Sequence, residues 1–184
     1  MTSAMRALLV ATLLLAGCIV SAPTSEGTQA SARALPPAPP IEVKVGANFG
    51  DKAELTSVIL SPSRGVPGET VKVLANYKVN AAFDTDYTVF VHVEDVDGRV
   101  DRLNVDHVPA RGSLPTSKWK VGEIVRDEFD IPIPPGYQVR GLNIMLGLWD
   151  PKTDARCKIM NADAVRTDGR DRLFVANFPV VQPQ

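Results

Sequence analysis

Tyr87-Thr-Val-Phe-Val-His-Val-Glu-Asp-Val-Asp-Gly-Arg99 is the stretch from which the rest of this chain can be read. Val89, Val91 and Val93 fall on one face of an extended segment, and Thr88, Phe90, His92 and Glu94 fall on the other. A period of two carried by β-branched and aromatic residues marks a β-strand with one face buried. Asp97-Gly98 closes it, a dipeptide that accepts the positive φ angles of a tight turn. A strand with one apolar face must bury it against other strands, so its neighbours decide the architecture.

Working outward, Leu55–Leu60 reads as a first strand, ended by the turn-rich Ser61–Gly68. Thr70–Val79 alternates, with Val71, Val73, Ala75, Tyr77 and Val79 on one side and Thr70, Lys72, Asn76 and Lys78 on the other. The lead-in Pro67-Gly-Glu-Thr-Val71 is common before the second strand of immunoglobulin-like sandwiches. Arg99–Asp106 follows the central strand, then a long loop that starts at His107. Val125–Ile133 places Val125, Phe129, Ile131 and Ile133 inward, interrupted by Asp127, a carboxylate that needs a partner such as an arginine or loop backbone. Leu142, Ile144, Leu146 and Leu148 form another inner row, closed by Trp149-Asp150-Pro151. Ala155–Met160 and Leu173–Val180 supply the last strands. No amphipathic helix intervenes. The expected fold is all-β, an antiparallel two-sheet immunoglobulin-like β-sandwich with Val73, Val89, Val91, Val93, Phe129, Ile131, Leu146 and Leu148 in its core.

The first residues read differently. Arg6 precedes an apolar run, Ala7–Ala16, too short to cross a hydrocarbon core of about 30 Å as a helix, and Leu15-Ala16-Gly17-Cys18 ends it. Such a segment is a cleaved secretory signal. Its ending resembles the lipobox of bacterial lipoproteins, which implies cleavage before Cys18, a diacylglyceryl group on its thiol, and a further acyl chain such as palmitate on the new amine. Two or three chains anchor a protein durably where one does not. Ile19, rather than aspartate, follows the cysteine, which by the family's rules implies the outer membrane in a two-membrane cell. Residues 18–50 read as a disordered Pro/Ser/Ala-rich linker with a stiff Leu35-Pro-Pro-Ala-Pro-Pro40 run, reaching about 30 Å or more from the surface. Val43 and Val45 hint at an edge strand. The expected domains are therefore a signal at 1–17, a lipidated linker at 18–50 and a β-sandwich at 51–184.

Val89-Phe-Val-His-Val93, Asp97-Gly-Arg99, Asp106-His107, Pro115-Thr-Ser117, Trp119, Gly122-Glu123, Asp127, Pro132, Pro135-Gly136 and Gly147-Leu-Trp-Asp150 together resemble a bacterial β-sandwich domain. It occurs in surface lipoproteins and beside membrane glycosyltransferases of the dolichyl-phosphate-mannose type. The resemblance covers about Tyr87 to Arg156. It departs at Trp149, where the family carries tyrosine, and at the extra residues after Pro135-Gly136, which displace Tyr137 from a family position. It implies an immunoglobulin-like fold and an extracytoplasmic setting, and no activity.

The chain has 184 residues, 22% of them charged, with a formal net charge of −1, so no basic field exists to hold nucleic acid. No nucleophile elbow or phosphate loop is present, and no cofactor is expected. Cys157 lies between Arg156 and Lys158, which could lower its pKa, or sits half-buried and structural. His92, Glu94, Asp106 and His107 could meet as zinc ligands if their strands pair, yet they lack the close histidine spacing of such sites. Asp95-Val-Asp97-Gly98 suggests calcium, but Asp106 stands where the helix–loop–helix site needs glutamate. A plain turn explains it better.

The loop from Asp106 to Gly122 holds His107, Arg111 and Trp119 in a domain poor in aromatics. These residues and Trp149 are the candidate ligand-binding positions. Two readings of Trp119 compete, an exposed binding residue or a plug at the open end of the core. The expected function is a lipid-anchored, non-enzymatic cell-envelope protein whose sandwich is a protein interaction or assembly module. The alternative is an accessory module that binds cell-surface polysaccharide.

Overall fold

The computed structural model describes residue 36 and residues 38–183. The expected signal segment and Cys18 lie outside these residues. The strands are β1 (Ile41–Phe49), β2 (Ala53–Ser61), β3 (Thr70–Val79), β4 (Thr88–Asp95), β5 (Leu103–Asn104), β6 (Ile124–Pro132), β7 (Gly141–Asp150), β8 (Ala155–Arg156) and β9 (Leu173–Pro179). Two antiparallel sheets result. One has the order β1-β2-β3-β6; the other runs β5-β4-β7, with β8 and β9 both paired to the far edge of β7.

This is a two-sheet β-sandwich with immunoglobulin-like connectivity. β2, β3 and β6 take the places of the first, second and fifth strands of that plan, and β4, β7 and β9 those of the third, sixth and seventh. The inner rows behave as their alternation demands: Val71, Val73, Ala75, Tyr77 and Val79 of β3 face Val89, Val91 and Val93 of β4 across one apolar core. All eight core residues named from the sequence are buried. Where a fourth strand would continue the first sheet past β6, the chain instead forms the loop 106–119, with one 3₁₀ turn at Thr116–Lys118.

Three elements differ from expectation. β1 is a full nine-residue strand, so the sheet begins at Ile41 rather than after Gly50. Its period is broken by a bulge between Lys44 and Ala47, where Gly46 adopts φ +73°. β5 is only two residues long, because the Asp106 carboxylate accepts the Val91 N–H at 2.9 Å and cuts the ladder short. β8 also ends early, at Arg156, and Cys157 follows it with its N–H on the Leu148 carbonyl.

The turn after β4 is built by Asp95, whose wholly buried carboxylate accepts the N–H groups of Asp97 at 3.2 Å and Arg99 at 2.9 Å. Gly98 sits at φ +65°. Asp97 is itself held by Arg140 at 2.8 Å. Both aspartates are thus committed to the turn.

Candidate functional site

The loop 106–119 is pinned to the sandwich by a buried ion pair. Asp127, the charge that interrupts the inner row of β6, has no exposed side-chain surface. It accepts the Ala110 N–H at 2.7 Å and faces His107 Nε2 at 2.9 Å. His107 Nδ1 lies 2.8 Å from the Val105 carbonyl. Each ring nitrogen therefore faces an acceptor, and both bonds form only when both nitrogens carry protons. Burial opposes that charge, but the hydrogen bond and negative charge of Asp127, with the Val105 carbonyl, outweigh it, and the His107 pKa is raised. Phe129 packs on the ring with centroids 4.6 Å apart. The anticipated partner of Asp127 was an arginine or loop backbone; the structure supplies backbone and a histidine.

Ala110 and Arg111 both adopt left-handed backbone, φ +53° and +56°. For residues other than glycine this costs on the order of 1–3 kcal/mol each and needs support. The Ala110–Asp127 bond provides it.

Trp119 is only 3% exposed. Its indole N–H donates to the Leu114 carbonyl at 3.0 Å, and the ring packs on Tyr77 and Phe83 at centroid distances of 5.2 and 5.4 Å. The plug reading holds, and Trp119 is withdrawn from the candidate ligand-binding positions. Beneath it the Tyr77 hydroxyl is buried without a hydrogen-bond partner among the described residues. Burial, and then the charge of Asp127, push its pKa up. Arg111 points elsewhere: it is exposed, 4.0 Å from Asp130, and borders a shallow cavity of about 230 Å³ on the outer face of β2, β3 and β6. His107, Arg111 and Trp119 therefore do not line one site.

The residues weighed as zinc ligands do not converge. His107 pairs in register with inward Val89, whereas His92 lies on the outer face of β4. Glu94 is bound to Arg172 at 2.6 Å, and Asp106 is spent on the Val91 N–H. Cys157 is buried, and burial pushes its thiol up to about 11 despite the nearby Lys52 charge, so it is an inert structural thiol.

The outer face of the five-stranded sheet carries the concentration of chemistry that sequence reading did not assemble. Phe90 and His92 of β4 lie there with ring centroids 5.0 Å apart, yet both are buried, 3% and 7% exposed. Gly147 makes this possible. A Cβ at that position would stand 2.3 Å from the Phe90 ring, so only glycine lets the ring lie across β7. The Arg156 guanidinium covers Phe90 at 5.1 Å from its centroid, and that of Arg166 covers Phe174 at 3.7 Å.

Arg102 Nη1 and Arg172 Nη1 both approach His92 Nδ1, at 3.5 and 3.3 Å. A guanidinium only donates, so Nδ1 is the acceptor and the proton resides on Nε2. Burial, then the charge of Arg102, lower the His92 pKa, which keeps the ring neutral. Arg172 is neutralised by Glu94 and Asp168 at 2.6 Å each. Arg102, Arg156, Arg166 and Arg170 have no salt-bridging carboxylate among the described residues. Trp149, half-buried and in register with Arg156, ends this face, its indole N–H on Asp154 at 2.9 Å. Of the sequence candidates, Trp149 alone belongs to it.

No family model matches the chain, and no curated protein does. The likeness drawn from individual residues therefore stands on those residues alone.

Proposed function

We propose that this chain is a lipid-anchored, non-enzymatic protein of the cell envelope whose sandwich is an interaction module. Cys18 is the lipid acceptor, residues 19–40 are the tether, and the outer face of β4 and β7 is presented to a partner that carries anionic groups. The observation that supports it best is a group of arginines without salt-bridging carboxylates, Arg156 over Phe90, Arg166 over Phe174 and Arg102 beside His92. Guanidinium groups left without a carboxylate, two of them over aromatic rings, are suited to bidentate recognition of carboxylate or phosphate. The Leu15-Ala-Gly-Cys18 ending supports the anchor, and Ile19 supports the outer membrane of a two-membrane cell as destination.

Polysaccharide binding through stacked sugars has less support. Trp119, the ring in the end loop, is in the core, and Trp149 offers one half-buried indole where a sugar platform needs an exposed flat surface. The anchor is tested by intact-mass measurement of the detergent-extracted protein and by fractionation of Cys18→Ala. An acylated N-terminal Cys18, and a variant released from the membrane, are expected. A wild-type chain with no acyl mass would sink the proposal.

A further inference from the structure

We propose that the outer face of the five-stranded sheet holds an oxyanion site at His92, formed by its Nε2–H with the guanidinium groups of Arg102 and Arg156, and that its ligand is a phosphate group. The inference rests on the interaction-module reading and names the chemistry that module recognises.

His92 is the unusual feature. It is 7% exposed and neutral, and its Nδ1 lone pair is shared between two guanidiniums although it can fully satisfy one. Its Nε2 has no hydrogen-bond partner among the described residues, and it is not one of the buried polar atoms left without a partner, so it reaches solvent. Arg156, stacked on the neighbouring Phe90 ring, is fixed further by its Nη1 donating to the Arg170 carbonyl at 2.8 Å. Its remaining N–H groups are free to face outward.

Gathering Arg102, Arg156 and Arg172 around one neutral ring concentrates like charge. Glu94 and Asp168 offset Arg172, and the exposed Asp106, whose carboxylate accepts the Val91 N–H, offsets part of the remaining positive charge around His92. An anion between Arg102 and Arg156 relieves that repulsion. A tetrahedral phosphate accepts from several directions at once, matching an imidazole N–H and two guanidiniums better than the two coplanar oxygens of a carboxylate.

The test uses the full chain carrying Cys18→Ala, which needs no detergent, with the His92 ring followed by nitrogen-detected NMR during titration with sodium phosphate at constant ionic strength. A saturable shift at His92 and none at His107 is expected. Arg102→Gln and Arg156→Gln should each weaken binding about tenfold. Both arginines are exposed, so each variant should still unfold in one cooperative thermal transition, with only the small loss of its own contacts to Phe90 and Arg170 or to His92. Arg140→Gln, whose arginine binds Asp97 instead, should leave the affinity as it was. A non-saturating shift, wild-type affinity retained in both arginine variants, or acetate binding as tightly as phosphate overturns the proposal.

Flotation with phosphatidylglycerol vesicles but not phosphatidylcholine vesicles, lost in Arg156→Gln, assigns the phosphate to a lipid headgroup. Saturable binding of inorganic phosphate without flotation assigns it to a soluble ligand, and either supports the site. Fractionation of the wild-type chain tests the tether separately. A failed titration therefore leaves the interaction-module reading intact, and an unlipidated wild-type chain overturns that reading while the titration still reports on His92.

Discussion

Replacing His107 by glutamine tests whether the end loop is held by charge. The substitution removes the positive charge facing Asp127, whose carboxylate is fully buried, and leaves it only neutral donors, the Ala110 N–H and the new amide. A charge-assisted hydrogen bond contributes about 1.5–3 kcal/mol, and the packing of the ring on Phe129 about 0.5–1.5. Together these suggest a loss of about 3 kcal/mol, at the lower edge of the range for breaking a buried pair. Against a total of about 5–15 kcal/mol this is large, and urea denaturation resolves it readily.

The pH dependence follows from the raised His107 pKa. The imidazolium contributes its stabilisation in full below the ordinary histidine value of about 6.5 and loses it as pH rises through the raised folded value. The gap between wild type and His107→Gln should therefore be widest below the ordinary histidine value of about 6.5 and narrow as pH rises through the raised folded value. A gap under about 1 kcal/mol at the lower pH, or one that does not change with pH, refutes the double protonation inferred from Val105 and Asp127.

Trp119→Ala should cost about 3–5 kcal/mol in the same denaturation assay, because the ring fills the end of the core between Tyr77 and Phe83; a loss under about 1 kcal/mol would return it to the surface. Tyr77→Phe should be neutral or stabilising, since it deletes a buried hydroxyl that has no partner; a large loss of melting temperature would mean that the hydroxyl is bonded. Gly147→Ala should destabilise by about 1–3 kcal/mol through its clash with the Phe90 ring, and it should disturb the His92 NMR signal, which an unrelated surface substitution would leave in place.

What the sequence made legible was local. The alternation in Tyr87–Arg99 and in Thr70–Val79 identifies the inner rows because a strand's period is fixed at two and one face is buried. β1 was obscured where Gly46 and its bulge interrupt the period directly after a proline-rich run. β5 and β8 were overextended because a side chain, Asp106, and an early turn replace ladder bonds that apolar pattern alone suggests.

The candidate site was less legible still. Its arginines come from the turn before β5, from β8 and from the loop before β9, and the Glu94–Arg172 pair spans 78 residues. No local spacing encodes such a meeting. Aromatics in loops drew attention to Trp119, whereas the rings that matter sit mid-strand, under guanidinium groups. Gly147 was the one sequence signal that could have helped, since a glycine inside an apolar strand marks close approach from above.

Site-specific photocrosslinking in intact cells tests the proposed docking face most directly. A photoreactive residue at Asn104, exposed and in register with His92, samples the arginine face without removing its arginines. One at Lys78, exposed on the outer face of β3, samples the opposite sheet. Adducts to envelope components from position 104 that disappear with Arg102→Gln, and none from position 78, are expected. Equal adducts from both positions, or adducts from position 78 alone, would show that the partner docks elsewhere.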